Sequence, residues 1–160
     1  MPARRAPAPE PFVALFAFLL NFVWEMWQVP FYDGIGEGGH WNGVMVCTRA
    51  TLGDVGIVLC AFWSVAVFSR SRRWLLAPTR AQIAAFLVVG VLITVIFEAI
   101  ATGLLDRWQY GTTMPTLPLL GTGLLPLLQW LALPPLLLWL ARNQVLGIER
   151  QAAGTTDRMI

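Results

Sequence analysis

The chain of 160 residues is one domain's worth, and 57% of it is apolar against 12% charged, about half the charge of an ordinary soluble domain. That composition excludes a water-soluble globule. All eleven positive charges are arginine, nine acids oppose them, and a formal net charge of +2 is too small for nucleic-acid binding by electrostatics.

A hydrocarbon core of about 30 Å needs roughly 20 helical residues, because only a helix hides its own backbone polar groups over that distance. In chain order, residues 1–11 are Pro- and Ala-rich and read as a flexible cytoplasmic lead-in. Apolar runs follow at 12–29, 47–69, 81–104 and 119–141, and 142–160 reads as a polar, frayed cytoplasmic tail. The first run carries Asn21 and Glu25 and is followed by no small-residue cleavage site, so it is expected to stay as a helix. The predicted fold is all-α, a polytopic integral membrane protein built as a four-transmembrane-helix bundle. Arg4, Arg5, Arg70, Arg72, Arg73, Arg80, Arg142, Arg150 and Arg158 fall on one side of the four runs, leaving Arg49 and Arg107 for the other. Cytoplasmic flanks retain positive charge, which predicts an inner-membrane protein with both termini cytoplasmic.

The first outer connection, YDGIGEGGHWNG, holds five glycines in twelve residues and reads as a loop suited to fold back as a lid. It carries the only histidine, His40, which reads as a solvated loop residue. The second, DRWQYGTTMPTLPLLGTGLLP, is broken by Pro115, Pro118 and Pro126 and predicts an interrupted helix entry; Pro134 and Pro135 predict a kink further in. Of eight tryptophans, Trp24, Trp27, Trp41 and Trp108 suit an outer aromatic belt, with Trp63, Trp74, Trp130 and Trp139 spread over the rest. Cys47 and Cys60 are too few for a disulfide framework or a Cys-rich metal site. On one helix they stand about 20 Å apart, so both are expected to be free.

The acids carry the functional signal. Uncharged runs of fourteen, fifteen and seventeen residues separate the cytoplasmic boundaries from Glu25, Asp54 and Glu98, roughly 21 to 26 Å at the helical rise. Three helices therefore bring one carboxyl each to one level in the outer half of the membrane. An ionised side chain deep in lipid costs at least about 2.5–3.5 kcal/mol, so each is expected to face the bundle, and the three are predicted to converge. Asn21, Glu25 and Gln28 lie at i, i+4 and i+7 on one stripe, opposite Phe16, Leu19 and Val23; Cys47, Thr51 and Asp54 repeat the spacing on the second helix. The candidate catalytic residues are Glu25, Asp54 and Glu98. The candidate substrate-binding residues are Asn21, Trp24, Gln28, Trp108, Tyr110 and Gln129. No paired-His spacing such as HExxH marks a metal site, and no motif names a cofactor. Structural alternatives stand beside these readings: amides tying helices together, Asp54 capping a helix end, and a Glu25–Arg49 ion pair. Glu25 and Glu98, seventy-three residues apart and each followed by an aromatic cluster, also suggest a duplicated helical hairpin.

From Thr94 to Trp130 the chain resembles the membrane-embedded carotenoid-modifying proteins, the small lycopene cyclases and carotenoid hydratases. The carrying residues are Glu98, Trp108 and Tyr110, Pro115 and Pro118, and Gln129 with Trp130. Where those cyclases carry a paired acidic motif after the proline, this chain reads Pro118-Leu119-Leu120-Gly121, so the resemblance implies a protonating acid at Glu25, Asp54 or Glu98. The whole pattern, NFVWEMWQVPFY, CTRATLGD, FEAIATGL and MPTLPLLGTGLLPLLQW, also resembles an uncharacterised group of small four-helix bacterial membrane proteins, which implies no activity.

Three functions compete. The first is binding or converting an apolar lipid or isoprenoid substrate by acid catalysis, with Glu98 as acid and Glu25 or Asp54 as its partner. The second is a non-catalytic subunit or assembly factor, and the third is proton or cation transport, which the inner half opposes by offering no relay. The partners expected are membrane lipid and an apolar small molecule, not nucleic acid; an oligomer or a partner subunit stays open.

Overall fold

The computed structural model describes residues 7–35, 38–105, 107–118 and 121–157. Arg4, Arg5 and Arg158, part of the orientation signal, lie outside the described residues, as do most of the expected lead-in and Leu119 and Leu120 at the expected start of the fourth run.

Four helices dominate, and all four are long and apolar enough to cross a membrane. Helix α1 spans Glu10–Gln28 and continues as a 3-10 turn, Val29–Phe31. Pro11 in its first turn needs no hydrogen-bond partner there, and Glu10 suits the positive end of the helix dipole. A two-residue strand β1, Tyr32–Asp33, leads to α2, Gly39–Phe68. A short connection with a 3-10 turn at Trp74–Leu76 enters α3, Arg80–Ala99. That start is fixed by a capping box: Gln82 N–H donates to Thr79 Oγ1 (3.2 Å) and Thr79 N–H to Gln82 Oε1 (2.8 Å), which satisfies two orphan donors of the first turn. Helix α3 ends in a π-helical turn, Ile100–Leu104, followed by strand β2, Gln109–Tyr110, and α4, Leu124–Asp157.

Helix α1 packs on α2 and α4, and α3 packs on the same two, so the bundle is a ring with α1 and α3 on one diagonal. At one end β1 pairs antiparallel with β2, Tyr32 opposite Tyr110 and Asp33 opposite Gln109. This strap joins the first and third connections. The opposite end is the arginine end. There Arg72 pairs with Glu10 (2.5 Å), Arg73 pairs with Glu149, and Arg142 Nε donates to the Leu76 carbonyl at 2.8 Å. Between the ends runs a ladder of rings, Phe62, Trp74, Phe86 and Trp130, with centroids 5.4, 6.0 and 5.9 Å apart in turn. Trp130 reaches it because α3 carries Gly90 beneath the indole; a Cβ there would lie 1.9 Å from a ring carbon. Leu15, Leu19 and Val23 on α1, and Val88, Leu92 and Ile96 on α3, are each at least half exposed, apolar stripes of the kind a membrane-spanning helix would turn to lipid.

Several boundaries depart from the sequence reading. Helix α2 begins at Gly39, not 47, so His40 and Trp41 sit in its first turn rather than in a glycine-rich loop. Once Gly39 takes a positive φ of 82°, the residues after it can wind helically. Helix α1 begins at Glu10, inside the expected lead-in. Helix α4 begins at Leu124 and carries on past 141 to Asp157 as one helix, through Pro134 and Pro135, so the tail is helical where a frayed end was expected. Val145, fully buried, and the Glu149–Arg73 pair hold that extension against the bundle. Trp74 and Trp130, not among the belt candidates, are rungs of the buried ladder, whereas the belt candidates Trp27 and Trp41 are exposed. The fold is all-α apart from the two-stranded strap.

Candidate functional site

Beneath the strap, polar side chains from all four helices face inward. On α1 the stripe predicted from spacing is turned into the bundle: Asn21 and Gln28 are buried, while Leu19 and Val23 are exposed on the opposite face and Phe16, expected beside them, packs partly buried against the core. Trp24 Nε1 donates to Gln28 Oε1 (3.1 Å), and Gln28 Nε2 donates to Glu25 Oε1 (2.7 Å). Gln129 on α4 donates from Nε2 to Asn21 Oδ1 (2.6 Å) and to Asp54 Oδ2 on α2 (3.1 Å). Asn21 in turn donates to the Ala17 carbonyl at 2.7 Å. The carboxyls of Glu25 and Asp54 are neighbours, each held by an amide, Gln28 and Gln129.

A second arm comes from α3. Tyr110 of β2 donates its hydroxyl to Glu98 Oε2, and the Trp108 indole lies against the same carboxyl with its buried Nε1–H short of hydrogen-bonding geometry. The Thr102 hydroxyl takes up the Glu98 main-chain carbonyl (2.7 Å) where the π-helical turn begins. Such turns arise where a helix is displaced by one residue, frequently at functional positions.

Tyr32 joins the two arms. Its ring lies 5.7 Å from that of Tyr110. Burial first, then the carboxyls of Glu98 and Glu25, hold its phenol far above the usual value, with Tyr110 and Asp54 adding to the effect. Burial and the hydrogen bond to Glu98 push the Tyr110 phenol up as well. A phenol in that setting stays protonated and donates. Tyr32 was missed in the sequence because a two-residue strand has no periodicity to read. The available signal was that the chain has only two tyrosines, each a short way past an acid within an apolar run.

Two further hydroxyls mark the interior. Thr48, Ser64, Ser69 and Thr102 each bond the carbonyl four residues back, the ordinary outlet for a helical hydroxyl. Thr51, fully buried, and Thr94, 6% exposed, have no partner at Oγ1. Each lies one turn N-terminal of an acid, Asp54 and Glu98, on the side toward which helical side chains lean. Cys47 is buried on the same stripe as Thr51, Cys60 is exposed, and both are free thiols.

All nine candidate residues thus fall in one neighbourhood, six joined through Gln28, Glu25, Asp54 and Gln129, and three around Glu98. Two structural alternatives fall away. Among the described residues the ion pairs are Arg72–Glu10 and Arg73–Glu149, so Glu25 has no guanidinium and Arg49 stands exposed. Asp54 lies in the middle of α2 and caps no helix end. Helix-tying amides remain part of the picture, because Gln129 links α1, α2 and α4. His40 is exposed, and no group of three His, Cys, Asp or Glu among the described residues is disposed to hold a metal ion. No family model, curated protein or solved structure matches this chain.

Proposed function

We propose that this is an inner-membrane protein, both termini cytoplasmic, whose carboxyl cluster binds an apolar isoprenoid-type lipid from the outer leaflet and acts on it as a Brønsted acid. The observation that carries the reading is the set of three carboxyls, Glu25, Asp54 and Glu98, each held by a neutral donor, Gln28, Gln129 and Tyr110, and none in an ion pair among the described residues. A carboxyl that keeps its proton in a medium without water is equipped to deliver it to an alkene carbon, leaving a tertiary cation that carboxylate and indole faces stabilise. The cation then returns a proton to the carboxylate, with the double bond moved or a ring closed. Glu98 is the donor in this reading. Glu25 and Asp54 receive and hold the proton, and Trp24 and Trp108 flank them. The resemblance of residues 94–130 to carotenoid-modifying proteins points to the same substrate class.

Transport is the weaker reading. Below the acids the bundle is filled by Phe62, Trp74, Phe86 and Trp130, which supply no group to pass a proton or ion onward. A subunit role has one favourable observation, the Gln129 amide that ties three helices, yet that tie leaves Glu98 without a purpose.

Lipid extraction and mass spectrometry of cells carrying the wild type, Glu98→Gln or Glu25→Gln test the proposal. The expected result is loss of at least one lipid or pigment species in both variants, at normal protein level. An unchanged lipid profile in both overturns acid chemistry at this site.

A further inference from the structure

At the arginine end, far from the carboxyls, the last turns of α2 and the residues after them line an open cleft of about 300 Å³ formed by Trp63, Ala66, Val67, Arg70, Ser71 and Arg72. Its wall is apolar and uncovered, with Trp63 48% and Val67 75% exposed; its rim is basic. We infer that this cleft is a binding site for one anionic phospholipid, the acyl chain lying along Trp63 and Val67 and the phosphate held by Arg70 and Arg72.

The backbone gives the first reason. Helix α2 closes in a Schellman motif: Ser71 N–H donates to the Ala66 carbonyl (3.0 Å) and Arg70 N–H to the Val67 carbonyl (3.1 Å). The residue between must be left-handed, a position normally given to glycine. Here it is Arg70, at φ 50°, the one non-glycine with a positive φ among the described residues. An L side chain is unfavourable in that conformation, so its retention points to work done by the guanidinium. Neutralising the helix C-terminus does not explain it, because Arg72 and Arg73 follow two and three residues later without that strain.

Position and charge give the second reason. Trp63 and Val67, at i and i+4, form one stripe on the last turns of α2, and Arg70, just past the helix end, lines the same cleft at its edge. Arg72 is already oriented: its Nε and Nη2 both bind Glu10 Oε1, at 2.6 and 2.5 Å. Glu10 balances Arg72, and Arg70 has no carboxylate among the ion pairs of the described residues, leaving one positive charge for one phosphodiester. Anionic lipids gather in the leaflet that faces this end in the proposed orientation. The site does not depend on the carboxyl cluster, so either can fail alone.

The test uses the whole chain in zwitterionic detergent, with native mass spectrometry and thermal unfolding in the presence of phosphatidylglycerol, phosphatidylcholine or inorganic phosphate. Phosphatidylglycerol is expected to bind and raise the unfolding temperature, and the other two to do neither at equal concentration. Arg70→Gly is expected to raise the lipid-free unfolding temperature, since glycine suits the backbone, while weakening phosphatidylglycerol binding about tenfold, the loss of one charge-assisted contact. Arg70→Gln keeps a similar stem without the charge and is expected to lose the same binding, and Trp63→Ala to weaken it. Equal binding of both lipids by the wild type overturns the inference. So does wild-type phosphatidylglycerol binding by both Arg70 variants, or an inorganic phosphate effect as large as the lipid's.

Discussion

Tyr32 stands between the two halves of the site. Its ring packs on Tyr110, and its phenol feels Glu98, Glu25 and Asp54 at once. Removing the hydroxyl while keeping the ring separates its two roles, because Tyr32→Phe leaves the cross-strand ring pair and the strap intact. Burial and three nearby carboxyls hold this phenol well above its usual range, so the substitution removes a neutral hydroxyl rather than a charge. The unfolding temperature is therefore expected to stay close to that of the wild type, while the lipid change expected for Glu98→Gln is reproduced in part, with about tenfold weaker turnover, the size of one polar contact to a carboxyl. A normal lipid profile with Tyr32→Phe would show that the hydroxyl has no part in positioning Glu98. The acids themselves were legible from the sequence, since counting uncharged residues from the arginine flanks fixes their depth. The hydroxyls of Thr51 and Thr94 were legible only in part. Spacing places Thr51 beside Asp54, but which threonines bond their own helix and which do not is decided by rotamer, and rotamers are not written in periodicity.

At the scale of elements, the close crossing of α3 and α4 depends on one missing side chain. Gly90 lies under the Trp130 indole, and Trp130 is the last rung of a ladder whose other rings are equally confined. With no room for the indole to retreat, Gly90→Ala must push the helices apart, at a cost of about 1–3 kcal/mol. Thermal unfolding in detergent should show the loss, and Gly90→Ala combined with Trp130→Leu should recover part of it; additive losses would mean that the two positions do not meet. Hydropathy alone gave the four helices, because nothing else satisfies 20 backbone amides in lipid. It gave their ends less well. Polar and glycine-rich segments read as loops, yet α2 takes in Gly39 to Val46 and α4 runs to Asp157, because contacts with the rest of the bundle stabilise turns that composition alone disfavours. The strap was not legible at all, being a pair of two-residue strands brought together by the helices beneath. Glu25 and Glu98 are 73 residues apart and Tyr32 and Tyr110 are 78, so the path from acid to tyrosine is five residues longer after α3, and the π turn at Ile100–Leu104 takes up one of them.

For the whole molecule, the two ends are chemically opposite. One gathers Arg70, Arg72, Arg73, Arg80 and Arg142 around the connection between α2 and α3. The other carries the strap, His40, Trp41 and, deeper in the bundle, the carboxyls. In the proposed orientation, which the arginine bias supports, both termini and the α2–α3 connection face the cytoplasm and the strap faces outward. Cysteine labelling tests this on the full chain once Cys60, the exposed thiol, is replaced by alanine and buried Cys47 is left in place. His40→Cys stands in the exposed first turn of α2, and Arg150→Cys on the exposed surface of the last turns of α4. A membrane-impermeant maleimide added to intact spheroplasts is expected to modify the first and to reach the second only after permeabilisation. The reverse pattern would put the carboxyl cluster in the cytoplasmic half and the basic cleft in the outer leaflet. An outer-leaflet substrate and an inner-leaflet anionic lipid would then both be lost, since each follows from the same orientation.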